Sequence, residues 1–274
     1  PDLLRRVGAE VDCLHCEVDG TFPNHHPDPT VDENVVDLKA RVVEIGAEVG
    51  IGLDGDCDRI AAVDETGRLV RGDQLTAIFA REQLRRTPGE TILFDVKSSR
   101  ALAEDIEAHG GRPLMWKTGH SLAKRKMIDD GIVFGGEMSG HLFFFDGWFG
   151  FDDAILAACL LCGILSRSES SLAAMVDSLN AYASTPEVRI ETTEEKKWKI
   201  VADALEWFGE RYEISDIDGV RVDIPGGWAL LRASNTQPVV VARAEGRDEE
   251  KLHEILAVLD AFLERHGFTG VQWR

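Results

Sequence analysis

A chain of 274 residues with 49 acidic and 30 basic side chains carries a formal charge of −19 and a pI near 4.8. That field repels nucleic acid and anionic membranes, so neither is expected as a partner, and an anionic ligand must be held by local basic groups. The apolar run Ile155–Leu165, 11 residues, is short of the roughly 20 that cross a bilayer, and the length suggests about two domains with room for three small ones.

The chain opens on Pro1 rather than methionine and shows no signal-peptide pattern, so an upstream segment is expected to have been removed. VDCLHCEV reads as a strand and FPNHHPDP as a proline-punctuated loop. TVDENVVDLKARVVEIG reads as a helix opened by a capping box of Thr30 and Glu33. EVGIGLDGD is a strand ending in an acidic loop. After IAAVDETGRLV come the helix DQLTAIFAREQLRR, the strand TILFDV, the helix SRALAEDIEAHG, the strand RPLMWK and the helix SLAKRKMIDDG. This alternation predicts α/β layers with parallel pairing, whose ligands collect at the carboxyl ends of strands. LDGDCDR, DVKSSR, WKTGHS and FGGEMSGH all fall at such ends. Near residue 181 the pattern changes to EVRIETT, a helix over EEKKWKIVADALEWFGERY, consecutive strands around DGVRVDI, WALLRAS and PVVVARAE, and a last helix. That helix places Leu252, Ile255, Leu256, Leu259, Phe262 and Leu263 on one face. Consecutive strands predict a smaller α+β domain. Before Gly67 there is room for only two or three strands and one full helix, so the first segment reads as half a domain.

Five cysteines, an odd number, argue for a reducing compartment and hence the cytoplasm. Cys13/Cys16 and Cys159/Cys162 form two CxxC pairs, and a shared zinc site is conceivable. The first pair lies in a strand-like run, where residues three apart face opposite ways, and the second in an apolar helix; both are expected to act as small hydrophobes.

Four stretches carry chemistry. In LDGDCDRI, Asp54, Asp56 and Asp58 alternate with small spacers, and like charges so close call for a compensating cation. If the loop is partly extended, the three carboxylates share a side, and hard oxygen ligands suit Mg²⁺. Three other readings are a solvated acidic turn, a haloacid-dehalogenase-type DxD, which fits better with Thr or Val at position 58, and an EF-hand. The EF-hand would use Glu65 as its twelfth residue but has Arg59 where glycine belongs. GGEMSGH offers Glu137, Ser139 and His141 to hydroxyls on a flexible backbone, and by itself reads equally as a glycine turn. WKTGHSLAKRK sets Lys117, His120 and Lys124 around a helix start, an arrangement for anions or an ordinary cap. RASNTQP, between two apolar strands, combines the planar fork of Arg232 with donors from Ser234, Asn235 and Thr236, a set suited to phosphate or to a plain turn.

Together, DGDCDR, KTGHS, GEMSGH and RASNTQP, with FPNHHPDP, FDVKSSR and DGWFGFDD, resemble the α-D-phosphohexomutase family over essentially the whole chain. Its bacterial phosphomannomutase/phosphoglucomutase members are the nearest likeness. The resemblance implies α/β domains with mixed sheets, followed by a C-terminal α+β domain like the TATA-binding protein. Residues 1–68 would be part of domain 2, 69–181 domain 3 and 182–274 domain 4. It further implies Asp54, Asp56 and Asp58 as Mg²⁺ ligands, with Arg59 beside the reacting phosphate and His120 and His141 near the reacting end. Glu137 and Ser139 would bind sugar hydroxyls, Lys97, Lys117 and Trp148 would line the cleft, and Arg232, Ser234, Asn235 and Thr236 would grip the phosphate not being transferred. The implied activity interconverts hexose 1- and 6-phosphates of mannose and glucose through a phosphoserine and a hexose 1,6-bisphosphate. The protein is expected to be a monomer. The family's serine motif is absent, so the chain is expected to be a fragment, inactive alone. The alternatives are a sugar-phosphate-binding protein without catalysis and a phosphoglucosamine mutase.

Overall fold

The structure, a computed structural model, describes residues 1–273. It forms two compact units, one of Pro1–Met115 with Gly119–Asn180, the other of Trp116–Thr118 with the chain from Ala181 onward.

The first unit begins with α1 (Asp2–Arg6), a 3-10 turn (Asp32–Val35) and α2 (Val36–Ile45), then β1 (Val49–Leu53), β2 (Ile60–Asp64) and β3 (Leu69–Val70). These strands form a three-stranded sheet in which both pairs are antiparallel. The expected parallel pairing is therefore wrong here. Only residues 54–59 join β1 to β2, and a parallel return needs a crossover of a dozen residues or more. Alternation along β2 divides its side chains between two cores: Ala61 and Val63 join Val35, Val42 and Leu69, while Ile60 and Ala62 join the large core of the residues that follow.

Two local expectations also fail. Residues 11–18 form no strand, and Cys13 and Cys16 are exposed. The alternating pattern has no neighbouring strand to pair with among the described residues, and alternation alone does not hold an extended segment. The Thr30–Glu33 capping box does not form either. Thr30 donates its amide (3.0 Å) and hydroxyl (2.6 Å) to Asp28 Oδ1, a local turn that takes the hydroxyl from the helix, whose first α residue is Val36.

The unit continues with α3 (Gly72–Arg86), β4 (Thr91–Asp95), α4 (Arg100–Ala108), β5 (Arg112–Trp116), α5 (His120–Asp130), β6 (Phe134–Gly136), β7 (Leu142–Phe144), α6 (Ala154–Arg167) and α7 (Leu172–Asp177). The sheet order is β5-β4-β6-β7, with β4 and β6 parallel and β6 and β7 antiparallel. The loop after β6 is clamped: a Cβ on Gly72 would meet Glu137 O at 2.5 Å, and one on Gly140 would meet Ile60 O at 2.4 Å.

Asp64, fully buried at the end of β2, ties the turn into β3. Its Oδ1 accepts the Thr66 amide and hydroxyl and the Arg68 amide, and its Oδ2 accepts Arg68 Nε at 2.8 Å. Burial alone would raise this carboxyl, but the bonds from Thr66 and Arg68 outweigh it and hold it below the ordinary value. A depressed folded pKa gives stability that is present above the unfolded value of about 3.9 and is lost as pH falls through the folded one. Asp64→Asn is therefore expected to cost about 1–3 kcal/mol at neutral pH and to flatten the acid limb of the stability curve, measured by urea unfolding at pH 7 and pH 3.

The second unit holds β8 (Ala183–Ser184), β9 (Val188–Glu191), α8 (Glu194–Gly209), β10 (Glu213–Ser215), β11 (Val220–Ile224), β12 (Gly227–Ala233), β13 (Val239–Gly246) and α9 (Glu249–Glu264). Its sheet runs β10-β11-β12-β13-β8, with β9 also on β13 and antiparallel pairing throughout. All six apolar residues expected on one face of α9 are buried, in a core shared with Ile200, Ala204 and Phe208 of α8.

Candidate functional site

The β1–β2 connection is a tight turn rather than an extended loop. Asp54 N donates to Arg59 O (3.3 Å), and Cys57 adopts φ 62°, a left-handed conformation that costs energy for a residue with a side chain. The turn, not strand alternation, gathers Asp54, Asp56 and Asp58 until each offers an oxygen within 4.8 Å of the other two. Asp54 is buried. Its Oδ1 accepts the amides of Asp58 and Arg59, each at 3.1 Å, and its Oδ2 accepts Arg59 Nε at 2.7 Å. Burial would raise its carboxyl, but the Arg59 amide and guanidinium hold it low. Asp58 is pushed up, first by burial and then by its neighbours Asp54 and Asp56. A turn that crowds three carboxylates against a desolvation cost has the chemistry of a hard-cation site, and Asp54 Oδ2, which accepts a single bond, keeps a further lone pair. Glu65, the twelfth residue of the EF-hand alternative, instead accepts the Ala173 amide.

The loop after β6 faces this turn through an isolated bridge between Arg59 and His141. Glu137, 1% exposed, accepts the Gly119 amide at 2.6 Å on Oε1 and the Ser139 hydroxyl at 3.2 Å on Oε2, with His141 Nδ1 3.1 Å away. Burial opposes its ionisation, but His141 and the Gly119 amide prevail, so the group is a carboxylate and can only accept. His141 is raised despite burial, which alone would lower it, by Glu137 first and then by Asp58 and Asp152. Its Nε2 lies 3.5 Å from Asp58 Oδ2, and the His120 ring stacks on it at 5.5 Å. Lys97, buried, sits 3.9 Å from Asp95 Oδ2, while Asp95 Oδ1 accepts the Met138 amide and so ties the loop after β4 to the loop after β6. Trp148 is 38% exposed in a loop with Phe149 and Phe151, whose rings pack on it and on each other.

Asp152 escaped the sequence reading. It lies 3.2 Å from His120 Nδ1 and 3.8 Å from His141 Nε2, and accepts Lys124 Nζ at 2.6 Å. The signal was the pair of aspartates before an apolar helix. Asp153 caps α6 through the Leu156 amide, which leaves Asp152 free for the cluster.

In the second unit, RASNTQP joins β12 to β13. Arg232 is 6% exposed, with Nε on Asp218 Oδ2 at 3.0 Å, and Ser234 Oγ accepts the Thr236 and Gln237 amides. Asn235 and Thr236 are exposed, as is Lys117 in the short segment that belongs to this unit. Lys117 and His120 thus belong to different units.

Residues 1–67, 71–182 and 187–261 match, in order, the family models described as phosphoglucomutase/phosphomannomutase alpha/beta/alpha domain II, alpha/beta/alpha domain III and C-terminal domain. The chain belongs to the phosphoglucomutase/phosphomannomutase family. A phosphomannomutase/phosphoglucomutase of Pseudomonas putida is 49% identical over 267 residues, 97% of this chain and 58% of that relative. A phosphoglucomutase of Neisseria gonorrhoeae is 43% identical over 96% of this chain and 57% of its own length. The crystal structure of a family member from Burkholderia thailandensis superposes with a TM-score of 0.89 at 40% identity, over 99% of this chain and 58% of that one. The chain thus spans a little over half the length of these phosphohexomutase relatives, and the resemblance read from its motifs is borne out. Among the described residues no helix is long and apolar enough to cross a membrane.

Proposed function

We propose that this protein is a phosphohexomutase that interconverts the 1- and 6-phosphates of mannose and glucose through a phosphoserine and a hexose 1,6-bisphosphate. The serine would lie in a part of the full-length protein outside these 274 residues. The observation that carries the reading is the convergence, within one unit, of the aspartate turn and the Glu137–Ser139–His141 loop. Relatives named for both sugars support the substrate class.

Asp54, Asp56 and Asp58 would hold a divalent cation, Mg²⁺ by the hardness of its ligands, and the ion when bound would neutralise charge on the transferring phosphoryl group. Arg59, held by Asp54 through Nε and by Asp28 Oδ2 through Nη1 at 3.1 Å, would lie beside that site. Glu137 and Ser139 would bind sugar hydroxyls. His141, whose acidic neighbours favour its protonation, would hold a proton at Nδ1 or Nε2 for an oxygen of the substrate, with His120 stacked against it. Lys97, Lys117 and Trp148 contact the substrate, and Arg232, Ser234, Asn235 and Thr236 bind the phosphate that is not transferred. Glucose and mannose differ only at the 2-hydroxyl, so a pocket that does not address it accepts both. The protein would act as a cytoplasmic monomer.

A coupled assay tests this. The full-length protein is expected to turn over glucose 1-phosphate and mannose 1-phosphate with Mg²⁺, and the 274-residue chain to show no turnover even with glucose 1,6-bisphosphate added, because in-line transfer needs a held nucleophile. A full-length protein inactive on both sugars defeats the reading. Sustained turnover by the chain alone would place the nucleophile within it.

A further inference from the structure

Lys197 is the fourth residue of α8 and is 1% exposed. A fully buried lysine is rare, and the first turn of a helix is the wrong place for a cation, since the backbone dipole is positive there. Neither burial nor helix stability accounts for it, but its partners do. The ammonium donates to Ser234 O at 2.6 Å and Gln237 O at 3.1 Å, and lies 2.7 Å from Glu194 Oε1. Three donors meet three acceptors, so the charge is satisfied only while the loop between β12 and β13 keeps its present shape.

We propose that Lys197 is a positioning residue for the phosphate loop, turning the Asn235 amide outward by holding the Ser234 carbonyl inward. This rests on the reading of RASNTQP as a phosphate site. The C=O and N–H of one planar trans peptide point in opposite directions, and there is no cis peptide among the described residues. With Ser234 O drawn onto Lys197, the N–H of Asn235 must face the other side of the loop. Asn235 is exposed there, and among the described residues no acceptor takes its amide. The Thr236 and Gln237 amides turn instead onto Ser234 Oγ at 3.4 and 3.2 Å, bonds long enough for a phosphate oxygen to replace. Gln237 O, the second anchor, also accepts the Val239 amide, so Lys197 grips the loop on both sides of its exposed tip.

The test is titration of the ¹⁵N-labelled 274-residue chain with inorganic phosphate, followed by amide shifts. Phosphate is expected to move the Asn235 amide together with Thr236 and Gln237. Lys197→Met is expected to raise the Kd about tenfold, and Lys197→Arg, which keeps donors for both carbonyls, to recover most of the affinity. In the full-length enzyme Lys197→Met should raise KM for glucose 1-phosphate by a similar factor with kcat unchanged, whereas general loosening of the unit would lower kcat as well. A folded Lys197→Met chain that binds phosphate like the parent overturns the inference and leaves the phosphate loop standing. Should that variant fail to fold, the parent titration still decides: shifts at Thr236 and Gln237 without Asn235 overturn it. If phosphate moves no amide of residues 232–237 in the parent, the phosphate-site reading itself fails.

Discussion

Asp56→Ala is expected to abolish Mg²⁺-dependent turnover in the full-length enzyme while leaving the fold intact. Of the three aspartates, Asp56 is exposed and makes no hydrogen bond among the described residues. Its removal takes away one hard ligand and relieves part of the repulsion that raises Asp58. Cation catalysis of phosphoryl transfer supplies several kcal/mol, so loss of the ion costs roughly a thousandfold or more in kcat. Thermal unfolding without metal should be unchanged, and the rise in melting temperature on adding Mg²⁺ should vanish. Asp54→Ala should behave differently: it leaves Arg59 Nε and two backbone amides without their acceptor, so the turn loosens even without metal. Full turnover of the Asp56 variant at low Mg²⁺ would remove the triplet from the metal site.

Arg232→Ala is expected to raise KM for glucose 1-phosphate on the order of ten- to a hundredfold, the worth of a charge-assisted hydrogen bond of roughly 1.5–3 kcal/mol. The two ends of this guanidinium differ in their surroundings. Nε is taken by Asp218, which fixes the plane of the fork, and the terminal nitrogens have no partner among the described residues. A phosphate bound in ground and transition states alike adds uniform binding, so kcat should hold. Arg232→Lys should fall between, because one ammonium cannot both satisfy Asp218 and present a planar fork. An unchanged KM in steady-state kinetics would take the loop out of the substrate site.

Much of the candidate site was legible because its chemistry is local. DGDCDR, GGEMSGH and RASNTQP each begin at the end of a strand, where the sequence pattern changes from apolar alternation to glycine and charge, and the structure keeps them there after β1, β6 and β12. The residues that escaped act across the chain. Asp152 reaches His120, Asp218 reaches Arg232, and Lys197 reaches Ser234 from 37 residues away. A lone Asp in a turn, or a lysine among lysines in EEKKWK, carries no sign of its burial.

The sequence by itself determined the kinds of most elements and their order, the buried face of α9 and the position of each reactive loop, because these depend on periodicity and on residues a few positions apart. Tertiary structure decided the rest. The antiparallel hairpin of β1 and β2, the turn instead of a cap at Thr30, the absence of a strand at residues 11–18 and the left-handed Cys57 that gathers three carboxylates each depend on which neighbour a backbone group finds. Local preferences among these options differ by about a kilocalorie per mole, and a single burial or hydrogen bond made at long range is enough to reverse them.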